Sequence, residues 1–202
     1  MTVRVLLAED QTMFRSALAT LLALEPDIEV VAEVDRGDRI ASAVREWNPD
    51  VALMDIEMPG IDGLEAARRL RAEGCPVKVV IVTTFGRPGY LHAAMEAGAA
   101  GFLLKDAPVS ELAVAIRRVV AGERVVDPAL AVAALSEGAS PLTPRETEVL
   151  SAARRHGTVA DLAAQLHLSP GTVRNHLSAA IQKLGARTRA EAVDIADQKG
   201  WL

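Results

Sequence analysis

The sequence has one cysteine, few aromatic residues and no long apolar run, and each shortage excludes a class of protein. Cys75 is the only cysteine, so no internal disulfide can form, and we expect a reducing, cytoplasmic environment. No stretch approaches the roughly 18 apolar residues of a membrane-spanning helix, so we expect no direct membrane insertion. Because Glu9 and Asp10 come early in the chain, we expect no signal peptide. Aromatic residues make up 3% of the chain, which predicts an aliphatic core.

Two common kinds of site are also missing from the sequence. No G-x-G-x-x-G follows the first predicted strand, which disfavours a dinucleotide-binding fold. The four histidines and the single cysteine show no transition-metal spacing.

Charge is divided unevenly along the chain. Residues 1–121 carry 13 basic and 18 acidic residues, whereas residues 141–202 carry eight and six. An acidic front and a mildly basic back indicate two parts with different partners. The basic excess is small, so charge alone does not demonstrate nucleic-acid binding.

Residues 1–121 alternate short β-rich runs with amphipathic patterns. The predicted strands cover residues 3–8, 28–33, 51–54, 77–83 and 101–104. The first predicted helix has an apolar stripe at Phe14, Ala17, Leu18, Leu21 and Leu22. Later helices are predicted at 38–47, 64–73, 88–97 and 110–121. Because the strands are apolar rather than alternating, we predict an α/β domain with a five-stranded parallel sheet covered on both faces.

The rest of the chain is predicted to be helical. Residues 122–140 have the composition of a linker with a short helix near 129–136, and residues 141–202 contain no predicted strand. A helix at 159–166 is followed by a short turn and by Ser169, a good N-cap, with Pro170 at the first helical position. The second helix runs to Leu184 and stops before Gly185. This two-helix unit indicates a helix-turn-helix, although the polar face of its second helix could simply be solvated.

The stretch LMDIEMPGIDG at 53–63 places Asp55 where a buried strand ends. Taken alone, Asp55 could simply begin a turn. Other strand ends change this interpretation, because parallel strands bring their carboxyl ends to one edge of the sheet. The polar residues predicted at that edge are Glu9, Asp10, Asp55, Thr83, Thr84 and Lys105. Two carboxylates ~4 Å apart would repel by about 4 kcal/mol at an effective dielectric near 20, and oxygen ligands without His or Cys favour Mg²⁺.

This set of residues resembles the receiver domain of bacterial response regulators, which has a flavodoxin-like (βα)5 fold. The resemblance implies that Asp55 accepts a phosphoryl group from a sensor histidine kinase. It implies Mg²⁺ as cofactor, held by Glu9, Asp10, Asp55 and the backbone carbonyl of Glu57. It also implies that Thr83 and Lys105 hold the phosphoryl oxygens, and that Thr83 and Phe102 act as the switch. Such chemistry needs a nucleophile and cations on the equatorial oxygens.

LTPRETEVL at 142–150 and LSPGTVRNHLSAAIQKLGA at 168–186 resemble the LuxR-type helix-turn-helix of the NarL/FixJ response regulators. On the second helix, Val173, Leu177, Ala180, Ile181 and Leu184 form the predicted buried stripe. The opposite face, predicted to meet base edges, holds Gly171, Arg174, Asn175, Ser178 and Gln182. Thr172, His176 and Lys183 are predicted to meet phosphates. Ala160-Asp161 replaces the Lys-Glu pair of many relatives, so one phosphate contact is missing and we expect a shallower salt dependence.

The resemblance implies a phosphorylation-dependent homodimer that binds promoter DNA. The first and fifth helices are the predicted receiver contacts, the first through Arg15, Ser16, Ala19 and Ala23, the fifth through Val114. The last helix, about 189–199, is the predicted contact of the DNA-binding domains. Pairing of two DNA-binding domains would raise affinity through effective concentration.

Three other interpretations stay open at this point. An aspartyl-phosphate phosphatase is an enzyme with similar chemistry, but it usually carries a D-x-D pattern after its first strand, where this chain has Glu9-Asp10-Gln11. We therefore predict that the protein is not an enzyme. A regulator whose receiver is only structural is a further alternative. DIEMPG, TTFGRPGYL, GTVRN and QKGWL also resemble DesR-type regulators, which respond to membrane fluidity and control a fatty-acid desaturase.

Overall fold

The computed structural model describes residues 2–84, 86–137, 140–154 and 157–202. The predicted end of the linker at 138–139 lies outside these residues. The chain divides into two compact units, one with residues 1–86 and 91–132 and the other with residues 87–90 and 133–202. None of the described helices is both long enough and apolar enough to cross a membrane.

In the first unit, the described residues form one parallel sheet. Its strands lie in the order β2-β1-β3-β4-β5-β6. The strands are β1 (Val3–Ala8), β2 (Ile28–Val34), β3 (Val51–Met54), β4 (Lys78–Thr83), β5 (Gly101–Leu104) and β6 (Val125–Val126). The order reverses between β1 and β3, and this is where ligand crevices form in open α/β sheets. The predicted α/β fold with its parallel sheet is confirmed.

The helices agree closely with the periodic patterns. They are α1 (Thr12–Leu22), α2 (Ile40–Trp47), α3 (Gly63–Ala72), α4 (Pro88–Glu96), α5 (Val109–Val120), α6 (Pro128–Glu137), α7 (Pro144–Ala153), α8 (Val159–Gln165), α9 (Pro170–Lys183) and α10 (Arg189–Gln198). A 3₁₀ turn at Gly37–Arg39 precedes α2, so the start predicted at residue 38 lies in that turn.

The sheet has one strand more than the predicted five. Val125–Val126 pairs in parallel with β5, opposite Gly101 and Phe102. These residues were assigned to the linker, but the first unit continues to residue 132. A two-residue strand is too short to give a periodic signal in the sequence, so the sequence does not predict it.

The apolar stripe of α1 is only partly covered. Leu18 and Leu22 are buried and Phe14 packs on the same core. Leu21 is 41% exposed and Ala17 is also exposed, so the expectation that they lie on the core side was wrong. Ala19, predicted on the outer face, packs against the core instead. The apolar stripe of α1 is wider than the surface that α1 buries against the core. Tertiary packing therefore determines which side of the stripe is buried.

In the second unit, capped helices surround a small core of their own. Val149, Leu150 and Val173 are fully buried there. Ser169 accepts a hydrogen bond from the backbone N–H of Thr172 at 3.0 Å, which caps α9 as predicted. His167 adopts a positive φ of 53° between α8 and α9, and this left-handed residue produces the short turn of the helix-turn-helix.

Candidate phosphoacceptor pocket and DNA-binding helix

The predicted pocket residues follow neighbouring strands of the sheet. Glu9 and Asp10 follow β1, Asp55 follows β3 and Lys105 follows β5, while Thr83 is the last residue of β4. Backbone bonds fix these strand ends: the N–H of Asp55 donates to Ala8 at 2.9 Å, and that of Lys105 donates to Thr83 at 2.8 Å. The sheet therefore brings the predicted residues to one edge.

Lys105 is the cation at the centre of this edge. Its Nζ lies 2.8 Å from Oδ2 of Asp55 and 2.5 Å from Oε2 of Glu9. The three side chains are only 5–6% exposed. The other carboxylate oxygen of Asp55 accepts the N–H of Ile56 at 2.7 Å, and Gln11 N–H donates to Glu9 at 3.1 Å. The carboxylate of Asp55 is thus oriented by one backbone donor and one ammonium.

Burial and charge act in opposite directions on this cluster. Burial raises the pKa of Glu9, and the negative charge of Asp55 adds to this effect, while the hydrogen bonds from Lys105 and Gln11 oppose it. Burial disfavours the charged ammonium of Lys105, but its bonds to Asp55 and Glu9 outweigh this and raise its pKa. Lys105 is therefore held as a cation between the two carboxylates.

The acidic residues form a donor set suited to a hard cation. Carboxylate oxygens of Glu9, Asp10 and Asp55 lie within 4.8 Å of one another, and Asp10 is exposed. One ammonium against three carboxylates leaves an excess of negative charge. An all-oxygen set with one solvent-accessible carboxylate fits Mg²⁺, which retains several waters. Glu57 is exposed in the loop after β3, and the role of its carbonyl stays a prediction.

The loop after β3 is held tightly against the pocket. Gly63 begins α3, and its N–H donates to the carbonyl of Ile56 at 2.9 Å. A Cβ at Gly63 would lie 1.9 Å from the carbonyl oxygen of Asp55, so only glycine fits. Asp62 caps α3 by accepting the N–H of Glu65 at 2.7 Å. This packing explains why glycine follows the Asp-x-x-x-Pro stretch.

Two aromatic rings lie near the pocket. Phe102 is fully buried on β5, three residues before Lys105, where the sequence predicted the switching aromatic. The second ring, Phe14 of α1, lies 4.8 Å from Nζ of Lys105 at a distance suited to a cation–π contact. Phe14 was predicted only as core, because its spacing from Lys105 along the chain carries no signal.

The exposed face of α9 matches the predicted DNA-contact face. Arg174, Asn175, Ser178 and Gln182 are exposed, and Thr172 and His176 are half-buried. The buried stripe is also as predicted, with Val173, Leu177 and Ala180 buried and Ile181 and Leu184 packed beside them. The hydroxyls of Thr172 and Ser169 lie 2.8 Å apart, so Thr172 has a local partner. Their contacts with bases or phosphates stay predictions.

Lys183 has a partner that no local sequence pattern indicates. Its Nζ donates to Oε2 of Glu146 at 2.7 Å. Glu146 is 5% exposed, and the Lys183 bond, the N–H of Thr143 and the rest of its capping contacts lower its pKa. The Thr-x-x-Glu capping box at 143–146 could have identified Glu146 as a cap, but no local pattern links it to a residue 37 positions away.

The two units match two known families. Residues 5–117 match the response regulator receiver domain, and residues 140–196 match the bacterial regulatory proteins of the luxR family. The chain is 46% identical over 200 residues to two Bacillus subtilis proteins, the uncharacterized transcriptional regulatory protein YvfU and the transcriptional regulatory protein DesR. The alignments cover 99% of this chain and 100% and 99% of those relatives.

A solved structure of the same architecture is also similar. The response regulator ChrA of a heme-sensing two-component system is 36% identical, with a TM-score of 0.59, and the match covers 100% of this chain and 99% of that chain. A receiver domain followed by a LuxR-type DNA-binding domain defines a two-component response regulator. The chain belongs to the NarL/FixJ family of these regulators. It is a DNA-binding transcription regulator and not an enzyme.

Proposed function

We propose that Asp55 accepts a phosphoryl group from a sensor histidine kinase, with Mg²⁺, and that this transfer promotes dimerisation and sequence-specific binding to promoter DNA. The observation that carries the proposal is the contact of Lys105 with both Asp55 and Glu9. An ammonium at hydrogen-bond distance from the nucleophile lies where it can neutralise an added phosphoryl group. The protein would act in the cytoplasm, where such a kinase presents its phosphohistidine.

The chemistry uses few groups of the protein. An oxygen of Asp55 attacks the phosphorus, the N–P bond to the kinase histidine breaks, and that histidine takes up a proton as it leaves. Lys105 pairs with a phosphoryl oxygen, and Thr83, fully buried at the end of β4, donates its hydroxyl to another. Bound Mg²⁺ would neutralise charge on the equatorial oxygens. Glu9, Asp10, Asp55 and the Glu57 carbonyl are its proposed ligands.

The switch is proposed to run through neighbouring strands. Thr83 lies opposite Leu104, and Ile81 lies opposite Phe102, in the parallel register of β4 and β5. A phosphoryl group that draws in the Thr83 hydroxyl changes the packing beside Phe102. Phe102 is fully buried, so a movement of its ring also displaces the residues packed around it. This displacement is proposed to change the surface around α4 and β5.

Treatment with acetyl phosphate distinguishes a receiver that is phosphorylated on Asp55 from a receiver that has only a structural role. With acetyl phosphate and Mg²⁺, we expect wild type to gain the mass of one phosphoryl group and to bind genomic fragments more tightly in gel shifts. We expect Asp55→Asn to show neither change. Glu57→Gln is the matched control, because it neutralises an exposed acid of the same loop and keeps the backbone carbonyl. Phosphorylation-dependent binding that persists in Asp55→Asn would contradict the proposal.

The α1–α5 face is the proposed dimer contact of the receiver. Met13 is 86% exposed, Leu21 41% and Leu24 75%, and Val114 on α5 is 51% exposed. Met13, Leu21 and Leu24 add exposed apolar side chains to the predicted contact, in which Val114 is already the α5 residue, and exposed apolar side chains are typical of protein interfaces.

Light scattering tests the dimer directly. We expect beryllofluoride with Mg²⁺ to convert wild type to a dimer and to leave Leu21→Glu monomeric, because a buried carboxylate at the contact has no partner. Trp47→Glu removes another exposed apolar side chain, 44% exposed on α2, and should dimerise like wild type. If Leu21→Glu still forms a dimer, the dimer contact does not include Leu21.

Control of a fatty-acid desaturase stays a sequence prediction. YvfU and DesR are equally similar to this chain at 46% identity, so identity favours neither as a guide to the target. Sequencing the genomic fragments that the phosphorylated protein retains would test it, with a desaturase promoter as the expected fragment.

A further inference from the structure

The second unit contains a partly buried ion pair that joins α9, the proposed DNA-contact helix, to α7. Lys183, the last residue of α9, donates to Glu146 of α7 at 2.7 Å. The Lys183 side chain is 36% exposed, whereas that of Glu146 is 7% exposed. The acidic partner is therefore the fixed member of the pair, and the lysine reaches inward to it.

The carboxylate of Glu146 is held in place by its own helix. It accepts the backbone N–H of Thr143 at 2.7 Å, and the Thr143 hydroxyl accepts the N–H of Glu146 at 3.3 Å. One turn further along α7, Val149 and Leu150 are fully buried in the core that also holds Val173 of α9. The acceptor for Lys183 is thus built into a capped and packed helix.

Two separate anchors therefore set the direction of α9. At its start, the Ser169 cap and the buried Val173 hold the helix. At its end, Lys183 is tied to α7. Arg174 lies nine residues before Lys183, or roughly 13 Å along the axis at 1.5 Å per residue. Loss of the Lys183–Glu146 ion pair would let α9 tilt about its N-terminal anchor. Such a tilt would displace the exposed face of α9 that includes Arg174.

We propose that Glu146 and Lys183 are positioning residues for DNA recognition, and that Lys183 serves the buried carboxylate instead of a DNA phosphate. The proposal rests on the proposed reading of bases by the exposed face of α9. It replaces the sequence-based expectation that Lys183 contacts a phosphate.

Charge supports this assignment. A lysine that moved to a phosphate would leave the carboxylate of Glu146 buried without its cation, which is costly. The paired lysine also presents little net positive charge to DNA. A phosphate contact releases counterions and adds about 0.9 to the slope of log K against log salt, whereas a positioning pair adds nothing to this slope. The two roles therefore differ in a measurable quantity.

The experiment compares two DNA duplexes over a range of salt concentrations. One duplex is selected from a random-sequence library by the wild-type full-length protein, and the other has the same composition in scrambled order. Fluorescence anisotropy gives the affinity for each, and the ratio gives specificity. The variants are Lys183→Met, Glu146→Gln, their combination and Lys183→Arg, and Arg187→Met is the control for loss of one cation beside α9.

We expect Lys183→Met and Glu146→Gln each to lower the specificity ratio by roughly tenfold, the loss of about one good base contact. The double variant should lose no more than either single one, because both remove the same tie. The salt slope should stay unchanged, and Lys183→Arg should restore the ratio. Arg187, whose side chain is 89% exposed, should tolerate the change to Met with the ratio intact.

Other outcomes overturn the proposal. A smaller salt slope for Lys183→Met, with equal weakening on both duplexes, would make Lys183 a phosphate contact. If Lys183→Met and Glu146→Gln both keep the wild-type specificity ratio, the positioning role is wrong, while the proposed base contacts of α9 still stand. If wild type selects no duplex from the library, base reading by α9 fails and positioning fails with it. Should Lys183→Met not fold, Glu146→Gln decides, because its amide oxygen can still accept the capping N–H of Thr143.

Discussion

Replacing Lys105 with Met tests whether this lysine and Mg²⁺ neutralise the same carboxylates. The substitution keeps most of the side-chain volume and removes the ammonium between Asp55 and Glu9. The two pairs span 2.8 and 2.5 Å. At an effective dielectric near 20, each represents roughly 6 kcal/mol of attraction, most of which desolvation offsets. Breaking such a buried arrangement from one side leaves a net cost of about 3–5 kcal/mol.

The assay is urea unfolding of wild type and Lys105→Met, each with EDTA and with Mg²⁺. Without Mg²⁺ we expect the variant to lose about 3–5 kcal/mol of unfolding free energy. At a hundredfold excess over its dissociation constant, Mg²⁺ should return about 2.7 kcal/mol. Wild type should gain less at the same concentration, because its lysine already neutralises part of the charge. Binding isotherms from calorimetry should show tighter Mg²⁺ binding by the variant.

Lys78→Met is the matched control, since Lys78 is exposed at the start of β4 and its loss should change the unfolding free energy by no more than about 0.5 kcal/mol. If Lys105→Met is as stable as wild type in EDTA, Lys105 does not neutralise these carboxylates. If Mg²⁺ stabilises both proteins by the same amount, the ion and the lysine do not share the same carboxylates.

Two further changes probe the packing beside the pocket and the pH response of the second unit. Gly63→Ala should cost about 3 kcal/mol or more in urea unfolding, because its Cβ would meet the carbonyl of Asp55 at 1.9 Å; Gly74→Ala, with open space but a φ of 67°, should cost only about 1 kcal/mol. Glu146 has a lowered pKa in the folded protein, so its contribution to stability is present above its ordinary value of 4.5 and is lost as the pH falls through the folded value. Unfolding of wild type and Glu146→Gln from about pH 7 to about pH 3 should therefore converge at the acid end; parallel curves would contradict the lowered pKa.

Much of the first unit was predictable because its signals are local. Apolar runs in the sequence identify β1 to β5. Once these strands are taken to be parallel, their carboxyl ends must lie at the same edge of the sheet. Glu9, Asp55 and Lys105 could be placed at one edge by this rule alone. Their mutual contacts at 2.5 and 2.8 Å required side-chain geometry that strand order does not supply.

The features that escaped prediction depend on distant residues or on very short segments. Lys183 and Glu146 lie 37 positions apart, and helix periodicity describes only the exposed or buried side of each helix. The same limit applies to α1, where Leu21 belongs to a continuous apolar stripe and yet remains outside the core. Which part of the apolar stripe is buried depends on the helix and strand that pack against α1. The sequence of α1 carries no information about those neighbours.

The pairing of β6 with β5 has a practical consequence for separating the two domains. A receiver truncated at residue 121 would lose Val125–Val126, the parallel partners of Gly101 and Phe102, and would make β5 an exposed edge strand. Unprotected strands of this kind recruit one another and aggregate. A fragment that ends after Val126 keeps the outermost strand in place and should stay dispersed at concentrations where the shorter one precipitates.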